Sequence, residues 1–161
     1  MSPQPDVKPL KILFLASEIA PFAKTGGLAD VANSLPKALT ALGHDVRLVM
    51  PCYASIPKDL LGKRLGAFMV YLGGNHRSGA VRLSSLPGSR VPVYLIEQGL
   101  YFARSGLYQT GGKPYSDNLE RFAFFALSAL EGVAQTGWLP DVIHSNDWHT
   151  ALAPAFLKVS Q

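Results

Sequence analysis

The chain has a single cysteine, Cys52, among 161 residues, so no internal disulfide can form and a disulfide-stapled scaffold is excluded. No apolar run approaches the roughly 20 residues that a membrane helix needs, and no charged segment followed by an apolar one opens the chain. A reducing, cytoplasmic setting is therefore expected. Charge is sparse at 16% of residues, against 48% hydrophobic, which excludes disorder and predicts one domain with a substantial core. There is no Gly-x-Ser-x-Gly elbow, and Cys52 sits in a Pro-Cys-Tyr loop without an activating neighbour, so nucleophilic hydrolysis is not indicated. The 11 acids are too scattered to nominate a glycosidase pair, and no Asp-x-Asp pair is present to hold a metal-bound diphosphate.

The 15 basic residues outnumber the acids for a net charge of +4, yet most stand singly rather than on one helix face, which argues against nucleic acid. A local excess runs from Lys58 to Arg90, where six basic residues face one acid, Asp59. It reads as a solvated basic strand pair, or alternatively as an electrostatic aid to an anionic ligand.

What the chain does have is Lys24-Thr25-Gly26-Gly27-Leu28-Ala29-Asp30, between the apolar run Leu10 to Ala16 and a helical pattern. Adjacent glycines allow close backbone approach, a helix start presents free N–H groups, and Lys24 adds a movable cation. These parts predict a pocket for an anion, most plausibly phosphate. The residue order fits neither the P-loop nor the dinucleotide fingerprint.

Residues 1–9 read as a loose tail and 10–161 as one Rossmann-like domain. Lys11 to Ala16 is a continuous apolar run of the kind buried in a parallel sheet. A helix follows from Gly27 to Leu42, with Leu28, Val31, Leu35, Leu39 and Leu42 as its apolar stripe and Pro36 expected to kink or break it near Ser34. Asp45 to Met50 is the second strand, parallel and near the first because the crossover is right-handed. Arg64 to Leu72 and His76 to Leu86 flank Gly73-Gly74-Asn75 as a β-hairpin, and Val91 to Ile96 is a further strand. Leu100 to Tyr115 has no period and reads as a functional loop. Asp117 with Glu120 resembles a capping box opening a helix, whose stripe is Leu119, Phe122, Ala126, Leu130 and Val133. Asp141 to Ser145 is a short central strand, and a last helix from about Thr150 is still running at Gln161, which suggests a fragment. The fold class is thus α/β, with a mostly parallel sheet, helices on both faces and a β-hairpin insertion.

A second constellation, His144-Ser145-Asn146-Asp147-Trp148-His149-Thr150, leaves the last strand at its carboxyl end. Ligands of open α/β sheets sit beyond those ends. The Lys24 loop leaves the first strand in the same sense, so the two loops are expected to share one site. The histidines are five apart rather than three or four, which disfavours a zinc site, and no metal is expected. His144 reads as a satisfied core residue; Trp148 could stack on a sugar or pack inward.

The segment KILFLASEIAPFAKTGGLADVANSLPKALTALGHDVRLVMP, with VPVYLIE, YSDNLERFAFFALSAL and DVIHSNDWHTALAPAFLK in order behind it, resembles bacterial glycogen synthases and plant starch synthases. The likeness covers nearly the whole chain. It implies the amino-terminal half of a GT-B glycosyltransferase that transfers glucose from ADP-glucose to the non-reducing end of an α-1,4-glucan with retention, without a cofactor. Carried onto matching positions, it implies that Lys24, Thr25, Gly26 and Gly27 meet the donor diphosphate, that Asp30 fixes their loop, and that His149 meets the glucose. Tyr101, Asp117, Asn146 and Asp147 lie in segments that face the sugar or acceptor. The Arg, Lys and Glu that complete the family's site belong to a carboxyl-terminal domain absent here, so this chain alone is expected to be inactive. The absence of a transit peptide leans towards a bacterium rather than a plastid. The alternative is a non-catalytic module that binds a nucleotide or glucan.

Overall fold

A computed structural model describes residues 8–159, so most of the proposed 1–9 tail lies outside the described residues. Strand β1 (Lys11–Leu15) leads through the glycine loop into helix α1 (Leu28–Ala41) and strand β2 (Asp45–Pro51). After a 3-10 turn at Lys58–Leu60 come β3 (Lys63–Leu72), β4 (Asn75–Ser85) and β5 (Pro92–Glu97). A short helix α2 (Gly99–Phe102) and a small ribbon of β6 (Gln109–Thr110) and β7 (Lys113–Pro114) precede helix α3 (Asn118–Ala134). The described chain closes with β8 (Val142–Ser145), a 3-10 turn at Trp148–Thr150 and α4 (Ala153–Val159).

Six strands form one sheet in the order β3-β4-β5-β2-β1-β8. β5, β2, β1 and β8 run parallel, while β3 and β4 are the antiparallel hairpin added at one edge. Successive residues Leu48, Val49 and Met50 are wholly buried, as a strand covered on both faces requires. α1 packs on β2, and α3 crosses β2, β3, β4 and β5. The hairpin turn pairs Leu72 with Asn75 across Gly73 and Gly74, whose φ angles of 57° and 79° are those of a type I′ turn and need glycine.

Four local expectations are corrected. α1 runs unbroken through Pro36, which is buried with Ala29 and Ala32 against the sheet; that burial outweighs one lost donor. Its predicted stripe is displaced accordingly, for Val31 and Leu42 are exposed. The capping box at α3 does not form. Asp117 makes no capping hydrogen bond and instead pairs with Arg104 at 2.8 and 2.6 Å, while Glu120 accepts from Arg77 and Tyr101. Leu119, expected in the core, is 76% exposed because the buried face of α3 turns with Phe122, Phe125, Ala126 and Ala129.

The basic excess of the hairpin is also resolved by distant acids. Arg64 and Arg82 meet Glu97 at 3.1 and 3.0 Å, and Arg77 meets Glu120 at 3.0 Å. Those acids lie on β5 and α3, outside the stretch in which the excess was counted.

In the first turn of α3, Arg121 is fully buried and, among the described residues, pairs with no carboxylate. Its guanidinium donates to the carbonyls of Tyr101 at 2.7 Å and Leu107 at 3.0 Å and to Asn118 Oδ1 at 2.7 Å, and lies over the Tyr115 ring at 4.8 Å. One planar fork thus pins the aperiodic segment 101–118 to the core.

Candidate functional site

The strand order decides where the two loops lie. β8 pairs directly with β1, Leu15 opposite Ser145, so the loops after both strands rise from neighbouring carboxyl ends. Chain direction diverges there, since β1 leads to β2 on one side while β8 flanks β1 on the other. That is the switch point at which open α/β sheets bind ligands.

In the first loop Lys24, Thr25, Gly26 and Gly27 are all exposed. Lys24 Nζ reaches both carboxylate oxygens of Asp30 at 2.7 Å, so Asp30 restrains the lysine across an exposed surface. Neither glycine has a positive φ, and a Cβ at Gly26 or Gly27 would meet no atom within 4 Å. This chain's own packing therefore does not demand glycine there, and the missing side chains leave room on the open face. The loop amides divide into two groups. Those of Thr25 and Gly26 turn inward to Glu18, whereas, among the described residues, those of Gly27, Leu28 and Ala29 have no protein acceptor.

Glu18 was missed by the sequence reading. It is 3% exposed and accepts from the amides of Thr25 and Gly26, from Thr25 Oγ1 at 2.6 Å and from Tyr108 OH at 2.6 Å. Burial alone would raise its pKa, but the hydrogen bonds from Thr25, Tyr108 and Gly26 together hold the carboxyl below its ordinary value.

The second loop is built differently. Asn146 binds the end of β1 through its backbone amide and its side chain, at 3.1 and 2.9 Å from the Leu15 carbonyl. Asp147 has φ 63° and ψ 175°, a conformation that side chains rarely adopt, and accepts from the Trp148 amide at 2.6 Å. This sharp turn drives His149 inward, where it is 4% exposed. Its ring stacks on Trp148 at 3.9 Å and Tyr108 at 4.4 Å, with Phe122 edge-on at 4.7 Å. Among the described residues neither ring nitrogen has a hydrogen-bond partner, and burial pushes its pKa down to about 4, so the imidazole is neutral at pH 7. Trp148 packs one face on His149 and remains half exposed. His144 is half-buried, its ring tilted over Phe14 at 4.6 Å.

Tyr108, also missed, joins the two loops. Its hydroxyl meets Glu18 and, at 2.8 Å, Ser17, while its ring lies on His149. It comes from the segment read as a functional loop, but no periodic signal distinguishes it there. Tyr101 and Asp117 sit elsewhere. Tyr101 is 7% exposed against Phe124 and donates to Glu120, and Asp117 faces Arg104. Among the described residues, no hydrogen bond, ion pair or ring contact joins either of them to the two loops. Cys52 is held as a thiol, its pKa pushed up to about 11 by burial and by nearby Glu97.

Residues 11–161 match the family model described as the starch synthase catalytic domain. The chain belongs to that family. It is 50% identical over 151 residues to a glycogen synthase of Syntrophotalea carbinolica, covering 92% of this chain and 31% of that protein. It is 49% identical over 153 residues to glycogen synthase 1 of Geobacter sulfurreducens, covering 92% and 30%. The fold matches the catalytic domain of starch synthase IV from Arabidopsis thaliana, solved bound to ADP and acarbose, with a TM-score of 0.80 and 32% identity over 91% of this chain and 29% of that one. The chain therefore spans about 30% of the length of the curated relatives it matches. No helix among the described residues is long and apolar enough to cross a membrane.

Proposed function

We propose that this chain supplies the donor-side half of a retaining glucan synthase that moves glucose from ADP-glucose to the non-reducing end of an α-1,4-glucan. The observation that carries the reading is the adjacency of β1 and β8, which sets an exposed cation-bearing glycine loop and a buried neutral histidine at the same edge of the sheet. Breaking the glucosyl–diphosphate bond develops negative charge on the leaving group and positive charge on the sugar. A site must hold fixed donors for the first and electron-rich groups for the second.

Lys24 and the acceptor-free amides of Gly27, Leu28 and Ala29 supply donors at the start of a 14-residue helix, where the dipole also favours an anion. The space left by Gly26 and Gly27 admits the diphosphate close to the backbone. His149 faces the glucose, its neutral ring offering a nitrogen to a sugar hydroxyl without adding positive charge beside the reacting carbon. Asn146 and Asp147 shape the turn that aims it, and Tyr101 and Asp117 take part on the acceptor side. The family resemblance assigns the cations that neutralise the leaving group, and a glutamate near the sugar, to a second domain of a longer protein. Residues 10–161 by themselves bind weakly and transfer nothing in this reading, and the whole enzyme works in a bacterial cytoplasm.

The test is titration of ADP-glucose into the full-length enzyme with and without Lys24→Ala, alongside radiolabel transfer to glycogen. Binding is expected to weaken by about 1.5–3 kcal/mol, the range for a hydrogen bond to a charged group. Unchanged affinity and turnover would remove Lys24 from the donor site, and glucan elongation by the isolated 161-residue chain would refute the need for a second domain.

A further inference from the structure

We propose that Glu18 is a positioning residue of the donor site, a buried strut that sets the glycine loop and Tyr108 in fixed register. The inference rests on the donor role assigned to the Lys24 loop above. Glu18 lies three residues beyond the end of β1, beneath the loop rather than on its open face. Its two oxygens accept four hydrogen bonds, about the full capacity of a carboxylate. Three come from Thr25 and Gly26, and the fourth from Tyr108, 90 residues away in sequence. The two halves of the site are thereby tied through one side chain. Among the described residues no cation pairs with it: Lys24 is engaged with Asp30, and the charge on Glu18 is balanced by its ring of donors.

The donor set also explains why a strut fits better than a ligand contact. The amides committed to Glu18 are unavailable to a phosphate, and a buried carboxylate offers a diphosphate only repulsion. Its contribution must come through geometry. This separates it from Lys24, whose effect is direct attraction, and it gives the two residues opposite electrostatic signatures. Coulomb's law alone would have the loss of a negative charge near an anion site tighten donor binding. Weakened binding on removing that charge therefore reports a displaced loop.

Glu18→Gln is the discriminating substitution. Its shape is unchanged, its remaining carbonyl oxygen can keep the backbone amides, and its NH2 can face Thr25 Oγ1 and Tyr108 OH, since hydroxyls accept as well as donate. Steady-state kinetics on the full-length enzyme should show kcat/KM for ADP-glucose lowered about tenfold, with the KM for glycogen unchanged. Tyr108→Phe should lower the same constant, and the double variant should lose less than the product of the two single losses, because both cut one connection. Glu18→Ala, which leaves two amides without an acceptor, should lose more; if it does not fold, the Gln variant and the double-mutant cycle still decide. Wild-type donor constants in Glu18→Gln, independent effects with Tyr108→Phe, or equal losses towards donor and glycogen would each overturn the strut. A full-length wild-type enzyme that transfers no glucose from ADP-glucose would instead remove the donor reading itself, and the strut with it.

Discussion

The two loops over the switch point solve opposite problems. The Lys24 loop is exposed, charged and lined by glycine, while the His149 loop leaves Asp147 and Trp148 exposed and turns a neutral histidine inward among aromatic rings. Water screens the first, which suits capture of a strongly hydrated anion by a cation that can move. The second excludes water, so a histidine there keeps its proton balance fixed and any dipole aimed at the sugar acts in a low dielectric. In the proposed function the contrast puts binding and bond cleavage in different environments at the ends of two neighbouring strands. One side chain, that of Tyr108, touches both, its hydroxyl on Glu18 and its ring on His149.

The sharpest way to break the contrast is to empty its dry side. His149→Ala is expected to lower kcat for glucan elongation by about 10²–10³, the cost of losing one preorganised group at a charge-developing centre. The KM for ADP-glucose should change far less; a purely KM effect in initial-rate assays would move His149 to the binding side.

Acid titration probes the same burial without mutation. Because the folded pKa of His149 lies near 4 and the unfolded value near 6.5, the unfolded chain binds the proton first as pH falls. Stability is complete above about pH 6.5 and declines between there and pH 4, by up to about 3 kcal/mol for a shift of this size. Glu18 acts in the same direction at lower pH, since its depressed pKa gives stability that is lost as the carboxylate protonates. Urea unfolding of wild type and His149→Phe at pH 7 and pH 5 checks this, with the wild type alone expected to lose the histidine contribution.

The smallest effect concerns the turn between the two environments. Asp147→Gly removes the strain of a positive φ and should raise stability by about 1 kcal/mol in thermal melts, after the loss of the hydrogen bond to the Trp148 amide is included. Turnover should fall, because the turn that buries His149 is then free to relax. Stability and activity rising together would show that the strained turn does nothing for the histidine.

Much of this fold was legible in the sequence because its signals are local. β1 and β8 are apolar runs closed by polar loops, and Gly73-Gly74 fixes the hairpin at a position where only a positive φ serves. The adjacency of β1 and β8 was not legible, since both strands read alike and pairing order is set by the whole sheet. Glu18 looked like any lone acid after a strand; its role exists only because Thr25, Gly26 and Tyr108 fold onto it. The failed capping box has the same origin, for Asp117 and Glu120 had stronger partners in Arg104, Arg77 and Tyr101 than in the helix amides. Local rules described what each residue could do, and tertiary neighbours chose among the options.

Arg121 changes how the segment from Tyr101 to Asn118 should be regarded. Its glycines and lack of period suggest a strap that wanders until a ligand arrives, yet a fully buried guanidinium holds two of its carbonyls and the Asn118 side chain. The conformational freedom of that strap is surrendered when the chain folds. A ligand of the proposed site then need not supply the ordering entropy, because Tyr108 is already held.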